Sequence, residues 1–264
     1  MKELKQKKLF LLDMDGTIYL DNTLFDGTLD FLEYVKSIGG RYMFLTNNSS
    51  KSVDKYIEKL KSLGIDSCKE DFFTSSQATV VYLNENMRGK KVYALGTESF
   101  KKELANADVT VTDSLEDDID ALVMGFDTEL TFKKLEDACI LLNRGVEYIA
   151  TNPDWVCPTW YGYVPDCGSV SQMLCNATKR MPKFIGKPEP AMIELAISKT
   201  DFLKDEAIIL GDRIYTDIAS GVNAGISTVL MLSGETKRED MKDYDITPEY
   251  VYNNIREFYN DLIR

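Results

Sequence analysis

The sequence predicts an α/β fold, a parallel sheet with helices on both faces, and three observations predict it. Apolar runs of strand length alternate with amphipathic runs of helix length. The alternation restarts near Lys90, as expected of a chain of 264 residues holding one large or two modest domains. Carboxylates, hydroxyls and a lysine gather where the apolar runs end, the edge at which open parallel sheets bind ligands.

The first strand is expected at Lys8–Asp13, and TIYLDNTLFDG after it reads as a short hairpin or flap. TLDFLEYVKSIGG reads as a helix from Leu29, Leu32, Val35 and Ile38, with Gly39-Gly40 to stop it. RYMFLTNNSS is a second strand running into polar residues. The helix after it presents Val53, Tyr56, Ile57, Leu60 and Leu63, and DFFTSS and QATVVYLNENM add a strand and a helix. Beyond Lys90 the order is KKVYALG strand, TESFKKELANA helix, DVTVT, DALVMGF strand, TFKKLEDACILLNRG helix and EYIATN strand. An aromatic-rich stretch, PDWVCPTWYGYVPDCGS, is expected to be irregular, followed by a helix at VSQMLCNATK. The chain then returns to helix at AMIELAISK, strand at AIILGD, helix at TDIASGVNAG and strand at STVLML.

Composition narrows the chemistry. With 44% hydrophobic and 28% charged residues the chain can bury a real core. No run approaches the ~18 apolar residues of a membrane span, and the charged N-terminus does not read as a signal peptide. The five cysteines are odd in number and form no C-x-x-C pair, which points to reduced thiols and a cytoplasmic protein. A net charge of −12 argues against nucleic acid and anionic membranes as partners. There is no histidine, so Ser-His-Asp and Cys-His catalysis, histidine zinc sites and phosphohistidine are all excluded. Any acid or base is a carboxylate, lysine, tyrosine or cysteine.

Four features share one placement. Asp13 and Asp15 end the first strand, and at a period of two they point the same way. Thr46–Ser50 ends the second strand and offers hydroxyls, amides and a helix N-terminus to an anion. Gly186–Pro190 presents Lys187 before a helix, and a late strand ends in Asp212 with Asp217 following. Singly these are ordinary: TNNSS is a common helix cap and GKPEP a common turn. Together, each at a strand or helix edge, they suit phosphoryl transfer. A divalent cation held by Asp13, Asp15 and Asp212, together with Lys187, would cancel the repulsion between a phosphate monoester and a carboxylate nucleophile. Hard oxygen ligands point to Mg²⁺. A calcium loop counted from Asp13 fails, because glycine comes fourth and the twelfth residue is Leu24.

These motifs, DMDGTIY, TNNSS, GKPEP and GDRIYTDI, with TNPD (151–154) and Gly168-Ser169 between them, resemble the haloacid dehalogenase superfamily of phosphatases in its NagD-like, 4-nitrophenylphosphatase-like branch. The resemblance implies a Rossmann-like core, residues 1–81 plus 181–264, with an inserted α/β cap of the C2 type at 82–180. It implies Asp13 as the nucleophile that forms an aspartyl-phosphate and Asp15 as general acid and base. It implies Thr46 and Asn47, with Asn48 beside them, and Lys187 as phosphate-binding groups. Asp212 would ligate Mg²⁺ alongside Asp13 and the backbone carbonyl of Asp15, and Asp217 would support the site. The substrate would be a small phosphorylated metabolite, of sugar phosphate or nucleotide type. One departure stands out: the branch's Pro-Gly-x-Gly turn reads Pro165-Asp166-Cys167-Gly168 here. Asp154, Trp160 and Asp166 are the candidates for choosing the substrate's organic half. The rings around them, Trp155, Tyr161 and Tyr163, could equally pack beneath the cap loop or build a homodimer contact. A phosphomutase, a receiver-like phosphoacceptor and a scaffold with a vestigial site remain alternatives.

Overall fold

The computed structural model describes residues 4–159 and 161–264. The chain divides into two compact units, one of residues 1–46, 56–73 and 187–264, the other of residues 47–55 and 74–186.

The first unit carries a six-stranded parallel sheet in the order Tyr250–Tyr252, Ser227–Met231, Ala207–Gly211, Leu9–Leu12, Arg41–Thr46 and Phe72–Thr74. Every residue of Leu9–Leu12 and Ala207–Gly211 is buried, as expected where helices cover both faces of a parallel sheet. Register places the site. Leu12 lies opposite both Leu210 and Phe44, and the Asp13 N–H donates to the Leu210 carbonyl at 2.9 Å. Asp13 and Asp212, one step past their strands, and Thr46, the last residue of its own, therefore come out along one sheet edge.

The first helix, Thr28–Ser37, buries Thr28, Phe31, Leu32 and Val35 rather than the stripe expected from Leu29, Leu32, Val35 and Ile38. Residues three apart drift round a helix of 3.6 residues per turn, so only the three-and-four spacing stays on one face. Leu29 is exposed and Ile38 falls at the C-cap. Phe31 meets Phe10 of the central strand edge-on at 5.4 Å between centroids, and Phe258 at 5.6 Å. Phe258 belongs to a C-terminal helix, Ile255–Leu262, which closes the unit after Tyr250–Tyr252. The expected flap is a small antiparallel hairpin, Tyr19–Leu20 with Thr23–Leu24. The late helix expected at TDIASGVNAG begins as a widened turn over Ile214–Ile218 before Ala219–Ala224.

The second unit carries its own five-stranded parallel sheet, in the order Lys183–Phe184, Glu147–Ala150, Ala121–Met124, Lys91–Leu95 and Thr110–Thr112. Its core gathers Tyr93, Leu95, Leu122, Met124, Leu141, Tyr148 and Leu174. The aromatic stretch expected to be irregular is a two-stranded hairpin, Val156–Thr159 against Gly162–Pro165. Pro158 and Pro165 argue against a strand in a wide sheet, but a two-stranded ribbon leaves alternate N–H positions unpaired, where proline costs nothing. The following helix runs Cys167–Thr178 and starts earlier than expected because Asp166 caps it. No helix among the described residues is long and apolar enough to cross a membrane.

Candidate active site

At the edge of the first sheet, Lys187 is 1% exposed and its three ammonium protons meet three acceptors. These are Asp13 Oδ1 at 2.7 Å, Asp217 Oδ1 at 2.5 Å and the Leu45 carbonyl at 3.2 Å. Burial pushes the Lys187 ammonium toward losing its proton, but the attraction of Asp13 and Asp217 outweighs it and holds the lysine charged.

Carboxylate oxygens of Asp13, Asp212 and Asp217 all lie within 4.8 Å of one another, so three acids crowd one lysine. Burial, with the charges of Asp217 and Asp212 working against Lys187, holds Asp13 well above the usual carboxylate range. Burial and the neighbouring Asp217 push Asp212 up to about 7. Negative charge is thus in excess over Lys187, and a further positive charge would relieve it.

The lone pairs say where that charge belongs. Asp217 is fully engaged, Oδ1 by Lys187 and Oδ2 by the Arg213 N–H at 3.0 Å. Asp212 Oδ2 accepts from the Glu235 N–H at 2.6 Å, whereas Asp212 Oδ1 is buried with no hydrogen-bond partner. A buried acceptor left unpaired costs stability, and a cation there would supply what it lacks. The walls are cut to fit: a Cβ on Gly16 would come within 2.4 Å of Asp212 Oδ2, and one on Gly234 within 2.0 Å. These all-oxygen donors fit a hard divalent cation such as Mg²⁺.

Asp15 has a separate setting. Its carboxylate is not one of the three clustered acids. Asp15 Oδ2 accepts from the Tyr19 hydroxyl at 3.2 Å, and Asp15 Oδ1 lies 3.6 Å from Lys59 Nζ. Burial, and then the Asp15 charge, hold the Tyr19 hydroxyl in its protonated form.

The other expected residues are placed as follows. Thr46 ends its strand, buried, next to the Leu45 carbonyl that receives Lys187. The helix expected to open directly on TNNSS begins only at Val53. In the second unit, the Asn48 side-chain oxygen accepts from the Ser50 N–H at 3.0 Å and hydroxyl at 2.7 Å, turning the loop locally. Asn47 Nδ2 donates to buried Asp154 Oδ1 at 3.1 Å, and the Asn47 carbonyl accepts from Ser75 Oγ at 2.6 Å and Asn152 Nδ2 at 2.8 Å. Asp166 is buried and caps the helix Cys167–Thr178 through the Cys167 N–H at 2.5 Å. Aspartate and glycine are both favourable N-caps, so the departure from Pro-Gly-x-Gly is absorbed by helix capping. Trp155, Tyr161 and Tyr163 are each at least half exposed rather than packed beneath a loop. Trp160 lies outside the described residues.

Residues 10–110 match the haloacid dehalogenase-like hydrolase family, and residues 184–258 match the HAD-hydrolase-like family. The acid sugar phosphatase of Staphylococcus haemolyticus is 32% identical over 259 residues, 98% of either chain. The chain belongs to the haloacid dehalogenase-like hydrolases. It is similar in structure to the 4-nitrophenylphosphatase of Thermotoga maritima, at a TM-score of 0.92 and 38% identity, covering 98% of this chain and 99% of that one. A protein described as a putative NagD protein superposes at a TM-score of 0.89 with 36% identity, covering 97% and 98%. Full-length kinship of this kind makes the chain a phosphatase of the NagD type within that family.

Sequence reasoning missed Lys59, Tyr19, Arg213 and Glu235. Arg213 Nε pairs with Glu235 Oε2 at 2.8 Å, and the Tyr215 hydroxyl donates to Glu235 Oε1 at 3.0 Å, steadying the loop whose N–H meets Asp212. The one available signal was position: SGET (233–236) also follows the end of a parallel strand, Ser227–Met231.

Proposed function

We propose that the chain hydrolyses small phosphate monoesters, of sugar phosphate or nucleotide type, through an aspartyl-phosphate on Asp13. The observation that carries this reading is the saturated lysine: Lys187 takes Asp13 Oδ1 and Asp217 Oδ1, so the carboxylate of Asp13 is fixed beside a positive charge at the sheet edge. An oxygen of Asp13 attacks phosphorus as the bond to the leaving alcohol breaks. Asp15 gives its proton to that alcohol oxygen, then takes one from water, whose oxygen attacks phosphorus and breaks the bond to Asp13, releasing inorganic phosphate. Lys187 and the donors of Thr46, Asn47 and Asn48 hold the phosphoryl oxygens. Mg²⁺, held by Asp13, Asp212 and the backbone carbonyl of Asp15, would supply charge neutralisation when bound, and Asp217 steadies Lys187.

Residues 82–180 are the proposed C2-type cap, with Asp154, Trp160 and Asp166 as its candidates for leaving-group selection. The buried settings of Asp154 and Asp166 favour an indirect contribution from both. Sugar phosphates come first among substrates because of the sugar phosphatase relatives. An odd number of cysteines with no C-x-x-C pair supports a reducing, cytoplasmic compartment.

A panel of phosphate esters with and without Mg²⁺ tests the reading. Sustained phosphate release, abolished by excess EDTA and restored by Mg²⁺, is expected. Activity unchanged in EDTA removes the metal, and release that stops after one equivalent favours phosphoacceptor chemistry.

A further inference from the structure

We propose that Lys59 and Tyr19 are positioning residues that aim the Asp15 carboxylate at the leaving-group oxygen, an inference that rests on Asp15 being the general acid and base. Both oxygens of Asp15 are engaged: the Tyr19 hydroxyl donates to Oδ2 at 3.2 Å, and Lys59 Nζ stands 3.6 Å from Oδ1. The two partners are also tied to each other, since Lys59 Nζ sits 3.9 Å from the Tyr19 ring centroid, within the range of a cation–π contact. Tyr19 is fully buried and cannot swing away. Its backbone carbonyl receives the Gly16 N–H at 2.8 Å, which closes the turn that carries Asp15. Lys59 comes from another element, the last turn of the helix Val53–Ser62. Asp15 itself is 39% exposed at its side chain, and a carboxylate on an open turn samples several rotamers unless something holds it. Proton transfer demands a donor within about 3 Å of the oxygen it serves, so the hold has a catalytic use.

The competing reading is an ordinary, solvent-screened ion pair that adds little to stability and nothing to catalysis. Leaving groups separate the two. An alkyl alkoxide needs the proton of Asp15 to depart, whereas p-nitrophenolate needs little. Lys59→Met and Tyr19→Phe are therefore expected to lower kcat/KM, which reports the first displacement and not the shared hydrolysis of the aspartyl-phosphate, by about 10-fold on an alkyl phosphate such as glycerol 2-phosphate and by less than about 3-fold on p-nitrophenyl phosphate. Inhibition by inorganic phosphate should hold steady, and Lys59→Arg should restore most of the alkyl rate. Each substitution is also made in Asp15→Asn protein, where a residue that acts only through Asp15 has nothing left to lose, so no further fall is expected. An equal loss on both substrates with weakened phosphate inhibition would make Lys59 a phosphate contact and overturn the proposal. An undiminished loss in the Asp15→Asn background, or no loss in the wild-type background, overturns it as well. If Asp15→Asn alone shows no leaving-group dependence in kcat/KM, the acid reading falls and takes the proposal with it. If Asp15→Asn shows the dependence while both partner variants do not, the proposal alone falls.

Discussion

Lys187 makes the strongest demand of any single residue. A buried ammonium survives only with full pairing, and its three acceptors provide it. Lys187→Met leaves partly buried Asp13 and buried Asp217 without their partner. Denaturant unfolding should register a loss of about 3 kcal/mol at neutral pH, with turnover falling by about 10³-fold or more. Asp212 makes a second demand, with a sign that can be worked out. Its carboxyl is raised to about 7 in the folded protein, above the value of an unfolded chain. The protonated form is favoured by folding, so its contribution is complete below about pH 4 and fades as pH rises through about 7. In EDTA, melting of wild-type protein should lose ground to Asp212→Asn as pH climbs from about 5 to 8, and Mg²⁺ should stabilise wild type more at the upper end. A wild-type and variant difference that is flat with pH would remove Asp212 as the group that titrates. Asp13, Asp15, Lys187 and Asp212 were legible because each lies just past an apolar strand or within a proline-bearing turn. Lys59 and Glu235 were not, since a lone charge on a helix face or loop carries no pattern until register shows what it meets.

Among the elements, the core strands were plain in the sequence because continuous apolar runs have one good place, the middle of a covered parallel sheet. Two kinds of element were not plain. The aromatic hairpin hid behind its prolines, and the C-terminal strand and helix fell in a polar stretch whose apolar residues, Ile255, Phe258 and Leu262, are few and fully used. That helix is held by aromatic contacts, Phe258 with Phe31 and Tyr252 at 5.6 and 5.3 Å. Phe258→Ala should cost about 3–5 kcal/mol in a denaturant melt. A loss under about 1 kcal/mol would mean that the helix contributes little to the first unit. At the start of the helix Cys167–Thr178, Asp166→Ala should cost about 1 kcal/mol and Asp166→Gly only a few tenths. If Asp166→Gly leaves stability intact yet changes kcat/KM unequally across substrates, Asp166 contributes to substrate choice beyond capping.

At the scale of the whole molecule, a chain of net charge −12 without a single histidine gathers Lys187 with Asp13, Asp212 and Asp217 at one sheet edge, and Asp15 beside them is the proposed acid and base. In the proposed reaction proton transfer falls to Asp15, and the covalent step to Asp13. The double-displacement route separates the two in time, since p-nitrophenolate leaves without help while hydrolysis of the aspartyl-phosphate needs a base. Asp15→Asn protein mixed with p-nitrophenyl phosphate and Mg²⁺, followed in the first turnover and quenched with borohydride, tests this most directly. Borohydride reduces an acyl phosphate at position 13 to the alcohol, homoserine, which peptide mass spectrometry reads. The expected result is a burst of about one equivalent of p-nitrophenolate per chain, with homoserine in place of Asp13. Linear release from the first turnover with Asp13 unmodified would contradict the covalent route.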